Sequence, residues 1–191
     1  MPSAVQQLRT LTTKPATPEH QEEYDKQTSA KADDRSFCLL LTAMLENDLD
    51  RAIDHYLGEQ SSELRKSLYD HDGPLGNFSR KITVGAVLEV FGPVSHENFR
   101  LIRHVRNAFA HAKVPITFKT PVVAAVCSGL VRINIFDPPE EPDQTPEMSA
   151  RERFEAVCHE TMIRLTSYVG HNVQYKDNHG NKRAILNEML P

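Results

Sequence analysis

The chain has 191 residues, 39% of them apolar and 25% charged, which suits one globular domain with a sizeable core. Its formal net charge of −4 argues against non-specific nucleic-acid binding by the surface as a whole. No apolar run is long enough to span a bilayer, and Met1 to Lys14 lacks the basic-then-apolar order of a signal peptide. The three cysteines are too widely spaced for a disulfide framework or a zinc site, so a cytoplasmic protein with small thiols in its core is expected.

Residues 1–35 are expected to form a polar N-terminal arm or helix. Within it Val5, Leu8 and Leu11 keep helical spacing, and Thr17-Pro18-Glu19 is a helix-start pattern. A helical domain over 36–170 follows. Asp33 and Asp34 precede the longest periodic run, in which Phe37, Leu40, Leu41, Met44, Leu45, Leu49, Ile53 and Tyr56 predict a central helix with a broad buried face. Asp48 lies near that face. It is expected either to sit on a wet side of the helix, the favoured reading, or to pair with an arginine of the Ser95–His111 helix. Glu63 to Leu68 reads as a short helix. Asp72-Gly-Pro-Leu-Gly76 must turn tightly, because Pro cannot continue a helix and Gly tolerates unusual backbone angles. Asn77 can cap a helix over Phe78 to Phe91. Gly85 in its middle is less favourable than Ala by about 1 kcal/mol, which predicts a close crossing there.

Gly92-Pro93 stops that helix and turns the chain back into Ser95 to His111. Ser95 is the expected N-cap, with Glu97 suiting the positive end of the dipole. Phe99, Ile102, Val105 and Phe109 form the apolar stripe. Arg100, Arg103, His104, Asn107 and His111 occupy the opposite side, and Arg106 borders the stripe. From Ser79 to Lys119 the chain carries seven basic residues against two acidic ones, a local basic site on an acidic body. Lys113 to Lys119 alternates like an extended segment, and Thr120-Pro121 restarts a helix to about Leu130. Val131 to Phe136 is strand-like, and residues 137–147 form a Pro-rich acidic loop. The Ser149–Glu152 capping box opens a last core helix through Phe154, Val157, Cys158, Met162, Leu165, Tyr168 and Val169. The 171–191 tail is polar as far as Ala184 to Leu190. An all-α fold is expected, an irregular helical bundle with at most a minor strand pair.

No Gly-rich phosphate loop and no nucleophile elbow occurs. The nine histidines show no metal-ligand spacing, so neither cofactor nor metal is expected. Chemistry concentrates in Arg106-Asn-Ala-Phe-Ala-His111. Asn107 and His111 share a helix face, Arg103 continues the row, and the Arg106 side chain can wrap towards it. A phosphodiester cleaved by its own 2′-hydroxyl needs a base, an acid and positive charge at the non-bridging oxygens. One His and one Arg supply half of that set, and two chains would supply it all. The structural alternative has His111 capping the helix and Arg106 and Asn107 hydrogen-bonding the Lys113–Thr120 segment. Spacing alone favours the structural alternative.

Two blocks, Gly73-Pro-Leu-Gly-Asn-Phe-Ser-Arg-Lys-Ile82 and Leu101-Ile-Arg-His-Val-Arg-Asn-Ala-Phe-Ala-His111, resemble the mannitol operon repressor (MtlR-like) family. The similarity reaches back to Leu45-Glu-Asn-Asp-Leu49 and covers roughly Phe37 to Val131. The Arg-Asn-x-x-x-His hexad is also similar to the signature of the HEPN helical superfamily, whose active members are metal-independent RNases working as dimers. The first resemblance implies a regulatory protein in repression or signalling. The chain carries no convincing helix-turn-helix and is acidic overall, so protein contacts are expected, not direct DNA reading. The second implies a dimeric endoribonuclease with Arg106 and His111 as the catalytic pair and Asn107 orienting them. The non-enzymatic regulator, as a homodimer with a protein partner, is the favoured expectation. RNA is the partner only under the nuclease alternative.

Overall fold

The longest apolar run begins where a carboxylate meets the free N–H groups of a first helical turn. Asp33 accepts from the Arg35 and Ser36 amides at 3.1 and 3.0 Å and starts α1 (Asp34–Leu57). In a computed structural model, which describes residues 33–132 and 148–170, α2 (Ser62–Tyr69), α3 (Phe78–Val87), α4 (Pro93–His111), α5 (Pro121–Ser128) and α6 (Ala150–Gly170) follow. Among the described residues there is no strand, so the fold is all-α, and Lys113 to Lys119 is an irregular connector instead of an extended pair member. The strand-like run beyond Arg132, the acidic loop, the N-terminal arm and the C-terminal tail lie outside the described residues.

α1 is the hub. Phe37, Cys38, Leu41, Leu45, Leu49, Ala52 and Ile53 are buried, and the helix packs most extensively on α6 and then on α4. The start of α1 gathers three distant pieces of chain. Asp34 accepts from the Phe118 amide at 2.9 Å and from Arg151 Nη1 of α6 at 2.7 Å. The Arg151 guanidinium lies 4.1 Å from the centre of the Phe37 ring. Arg35 Nη2 donates to the Ala112 carbonyl at 3.0 Å, just past the end of α4. Phe118 plugs the junction, with ring centres 6.0 Å from Phe37, 5.0 Å from Phe109 and 5.2 Å from Phe154.

The capping box of α6 forms as expected: the Ser149 amide donates to Glu152 Oε2 at 2.8 Å, and the Glu152 amide donates to Ser149 Oγ at 3.3 Å. Asn77 caps α3 through the Arg80 amide at 3.0 Å. The Ser95 cap does not form. α4 begins two residues earlier at Pro93, whose fixed φ suits the first helical position, and Gly92 is the N-cap without a side-chain bond. Ser95 is instead buried, its hydroxyl unpartnered among the described residues. α3 also ends early, at Val87, because Glu89 adopts a left-handed φ of 55°, and a Val90 amide bond to the Gly85 carbonyl at 2.9 Å closes the turn. Glycines 73 and 76 are obligatory in their loop: a Cβ on Gly73 would meet the Ser67 carbonyl oxygen, and one on Gly76 that of Asp70.

α2 buries no side chain of its own and is held through polar contacts. Tyr69 donates to Asp54 Oδ1 of α1 at 2.9 Å, and Arg65 pairs with the same carboxylate at 2.5 Å. Next to them the Lys81 ammonium of α3 donates to Glu46 Oε1 at 2.7 Å and to Asp50 Oδ2 at 2.8 Å. Burial pulls the ammonium down, but the two carboxylates outweigh that and hold it above the ordinary lysine range. One cation cannot satisfy two acids. Asp50, whose Oδ1 is buried without a partner, is pushed up to about 6, chiefly by burial, with Lys81 opposing the rise. Asp48 pairs within its own helix with Arg51 at 3.5 Å and not with α4.

Two outcomes follow from this packing. A Cβ on Gly85 would lie 2.7 Å from the Phe91 ring and 3.4 Å from Leu49, so the tight neighbour is the turn that follows α3, and α1 lies at ordinary contact distance instead of in the expected close crossing. Overpacking costs about 1–3 kcal/mol and outweighs the helix propensity gained. Gly85→Ala should therefore lower the urea midpoint, and an unchanged or raised midpoint would contradict the packing. The folded-state pKa of Asp50, about 6, exceeds its unfolded value near 3.9. Between roughly pH 4 and 6 the folded chain thus holds a proton that the unfolded chain lacks, and this group's contribution to stability falls as pH rises through that window. With a quarter of the side chain exposed (26%), the effect is on the order of 1–2 kcal/mol. Asp50→Asn should flatten that part of the stability–pH curve, and a slope equal to wild type would refute the assignment.

Candidate functional site

α4 buries Phe99, Ile102, Val105 and Phe109, each at most 2% exposed, in agreement with the expected stripe. The buried stripe fixes the helix's rotation and so presents the other side outward. Arg100 and His104 are exposed, with Arg100 Nη2 paired to Glu97 at 2.5 Å. The Glu97 carboxyl is lowered by the Arg100 hydrogen bond, and the Arg100 guanidinium is raised by it. This is a solvated pair within one helix, as its i,i+3 spacing allows.

Arg106 and Asn107 are half-buried and His111 is exposed. Arg106 Nη1 donates to Asn107 Oδ1 at 3.2 Å, so these two side chains are brought together. His111 stands one turn beyond, at the last residue of the helix. None of the three hydrogen-bonds the Lys113–Thr120 segment among the described residues. That segment has other partners: the Phe118 amide goes to Asp34, the Thr117 amide goes to Thr120 Oγ1 at 3.0 Å, and the terminal Ala112 carbonyl is taken by Arg35. The end of α4 is thereby held from below by α1 and its connector, leaving the Arg106, Asn107 and His111 side chains uncommitted to their own loop.

Opposite this face, Asn98 makes a two-way clasp that spacing did not single out. Its Nδ2 donates to the Val131 carbonyl at 2.8 Å, and its Oδ1 accepts from the Val131 amide at 2.9 Å. Asn98 is fully buried, and the clasp replaces a backbone partner for the chain leaving α5. The next residue, Arg132, donates from Nε to Glu160 of α6 at 2.7 Å. An asparagine on an apolar flank is the one signal that pointed to it.

The three cysteines Cys38, Cys127 and Cys158 are free and buried. Burial raises all three thiols, Cys38 and Cys127 to about 12, which removes thiolate chemistry at neutral pH. Among the described residues no group of three or more His, Cys, Asp or Glu side chains is placed to hold a metal ion. No helix among them is long and apolar enough to cross a membrane.

No protein-family model matches the chain, and no curated protein matches it. Among solved structures, a chain of the X-ray structure of the MtlR–HPr complex from Escherichia coli is similar, with a TM-score of 0.51 and 20% identity. The match covers 76% of this chain and 93% of that one. The likeness is one of fold.

Asp34 ties the connector that follows α4 to the start of α1, so its removal is diagnostic. Asp34→Ala strips the Phe118 amide and Arg151 of their acceptor and should destabilise the chain by about 2–3 kcal/mol, measured by urea unfolding. A loss below about 0.5 kcal/mol, within the range of neutral surface substitutions, would show that the junction is held by Phe118 packing alone.

Proposed function

We propose that the chain is an MtlR-like helical regulatory protein. It acts in transcriptional repression or signalling through protein–protein contacts, as a cytoplasmic homodimer, without reading DNA directly. The observation that carries this reading is the fold shared with a chain of the MtlR–HPr complex. That structure is of a complex between two proteins, and a protein partner is the chemistry proposed for this chain. The stretches that carry the resemblance also meet in space: Glu46 of Leu45–Leu49 is joined to Lys81 of Gly73–Ile82, and Phe78 of that block packs on Phe99, two residues before Leu101–His111, at 6.2 Å. The net charge of −4 supports partner binding over groove reading.

Calorimetric titration with purified HPr, together with affinity capture from the native cells and transcript profiling of a deletion strain, tests the reading. Partner binding and altered transcripts are expected; an inert protein in all three would overturn it. Light scattering at micromolar concentration should give about twice the 21.6 kDa chain mass, and a clean monomer would defeat the homodimer.

A second reading, a HEPN-type metal-independent endoribonuclease, is favoured by one observation: Arg106 and Asn107 are joined while His111 is exposed and not tied to its own loop. In that reaction the substrate's 2′-hydroxyl attacks the adjacent phosphorus. One His111 takes its proton, the partner protomer's His111 protonates the departing 5′-oxygen, and Arg106 steadies the non-bridging oxygens. RNA cleavage by wild type that is lost in a folded His111→Ala variant would establish it; equal background in both would end it.

A further inference from the structure

Near the end of α6 a cation is buried without a counterion. Arg164 is 4% exposed, and its Nε and Nη1 are sealed from solvent with no hydrogen-bond partner. Glu160, one turn earlier, is the acid whose charge reaches it. That carboxylate is already taken by Nε and Nη2 of Arg132. Among the described residues two guanidiniums thus share one carboxylate. The position is separate from the Arg106–His111 row. Phe118 joins Phe109, near the end of α4, to Phe154, near the start of α6. Arg164 lies ten residues further along α6, about 15 Å by helix rise, and so towards the other end of the bundle.

A buried surplus of charge is relieved either by moving a proton or by adding a counterion. In the Lys81 cluster the surplus is negative, and Asp50 can take up a proton. Arg164 has no such exit. Burial pulls its guanidinium down and Glu160 opposes this, yet an arginine stays charged across the physiological range. Leaving that charge unpaired is strongly unfavourable, so the remedy is an anion from outside. We infer that Arg164 is a binding site for a carboxylate group. Each planar fork of a guanidinium combines Nη2 with Nε or with Nη1. A two-oxygen group arriving at Nη2, the nitrogen that is not sealed, therefore meets one of the two orphaned donors as well. Charge and shape favour a carboxylate over a phosphate. Arg132, Arg164 and Glu160 together leave one positive charge, which a carboxylate balances and a dianionic phosphate exceeds. A flat group also suits so narrow an opening better than a tetrahedral one. An acidic side chain of a protein partner and a free organic acid both present this chemistry.

The test follows the Arg164 Nε–H resonance in the isotope-labelled full chain, identified by its loss in Arg164→Lys. At fixed ionic strength sodium acetate should shift it along a saturable curve, and sodium chloride should not. Inorganic phosphate should act about tenfold more weakly than acetate or less. Acetate should also raise the melting temperature of wild type, as a ligand of the folded state does. That rise should be lost in Arg164→Met, which removes the unpaired charge, and cut severalfold in Arg164→Lys, which keeps the charge without the fork. Circular dichroism checks that both fold, and should Arg164→Met not fold, Arg164→Lys carries the comparison. No shift with acetate, an equal response to chloride, a preference for phosphate, or an equal melting rise in the folded variants would overturn the inference. Partner capture separates the two sources. Capture weakened severalfold by Arg164→Lys or by excess acetate gives the carboxylate to the partner, and unchanged capture by a variant that has lost the acetate response gives it to a free organic acid. Acetate binding by a chain that captures no protein leaves this site standing and removes only the protein-contact reading.

Discussion

Asp34 and Phe118 make one junction on which the placement of α4, α6 and the connector between α4 and α5 depends. A carboxylate at the first residue of α1 accepts from an amide 84 positions away and a guanidinium 117 positions away. Beneath it the Phe118 ring contacts Phe37, Phe109 and Phe154 from three different helices. Each contact alone is worth a kcal/mol or so. Together they decide where the connector runs, and a connector committed to α1 cannot satisfy the polar side of α4. That Arg106, Asn107 and His111 are not tied to the connector is a consequence of that commitment.

Charge is distributed on the same logic. Where helices meet at the other end of α1, acids and bases are matched inside the fold: Glu46 and Asp50 share Lys81, and Asp54 holds both Tyr69 and Arg65. These contacts hold α2, which contributes no buried side chain. On the outer side of α4 the cations beyond Arg100 have no such partners in the described chain. A matched cluster supports architecture at modest net gain, because desolvation offsets much of the attraction. An unmatched strip costs little in water and gains only when an opposite charge arrives.

Strong periodicity made most helices legible. The Phe99–Phe109 row buries as spacing requires, and so do Phe37, Leu41, Leu45, Leu49 and Ile53 of α1, whereas Leu40, expected on that face, stays half-buried outside the core; Asn77 and the Ser149–Glu152 box cap as their side chains allow. Boundaries governed by backbone stiffness were less visible. Ser95 competes poorly for the N-cap once Pro93 occupies the first helical position, and a left-handed Glu89 shortens α3 by a turn that residue type does not announce. Phe118 was hidden because an alternating seven-residue run looks the same whether it pairs as a strand or crosses a helical junction.

The amino-acid sequence by itself determined the helical class, the buried faces of α1 and α4, the inert character of the thiols as core residues, and the presence of an Arg-Asn-x-x-x-His row with cations around it. These depend on local spacing and residue chemistry, which a one-dimensional pattern carries. Only the tertiary structure decided that Asp48 turns to Arg51, that Asn98 clasps Val131, and that the Lys113–Thr120 connector is bonded to α1 and not to Arg106 or His111. Those choices are competitions between donors and acceptors far apart in the chain, and the winner is set by which helices stand side by side.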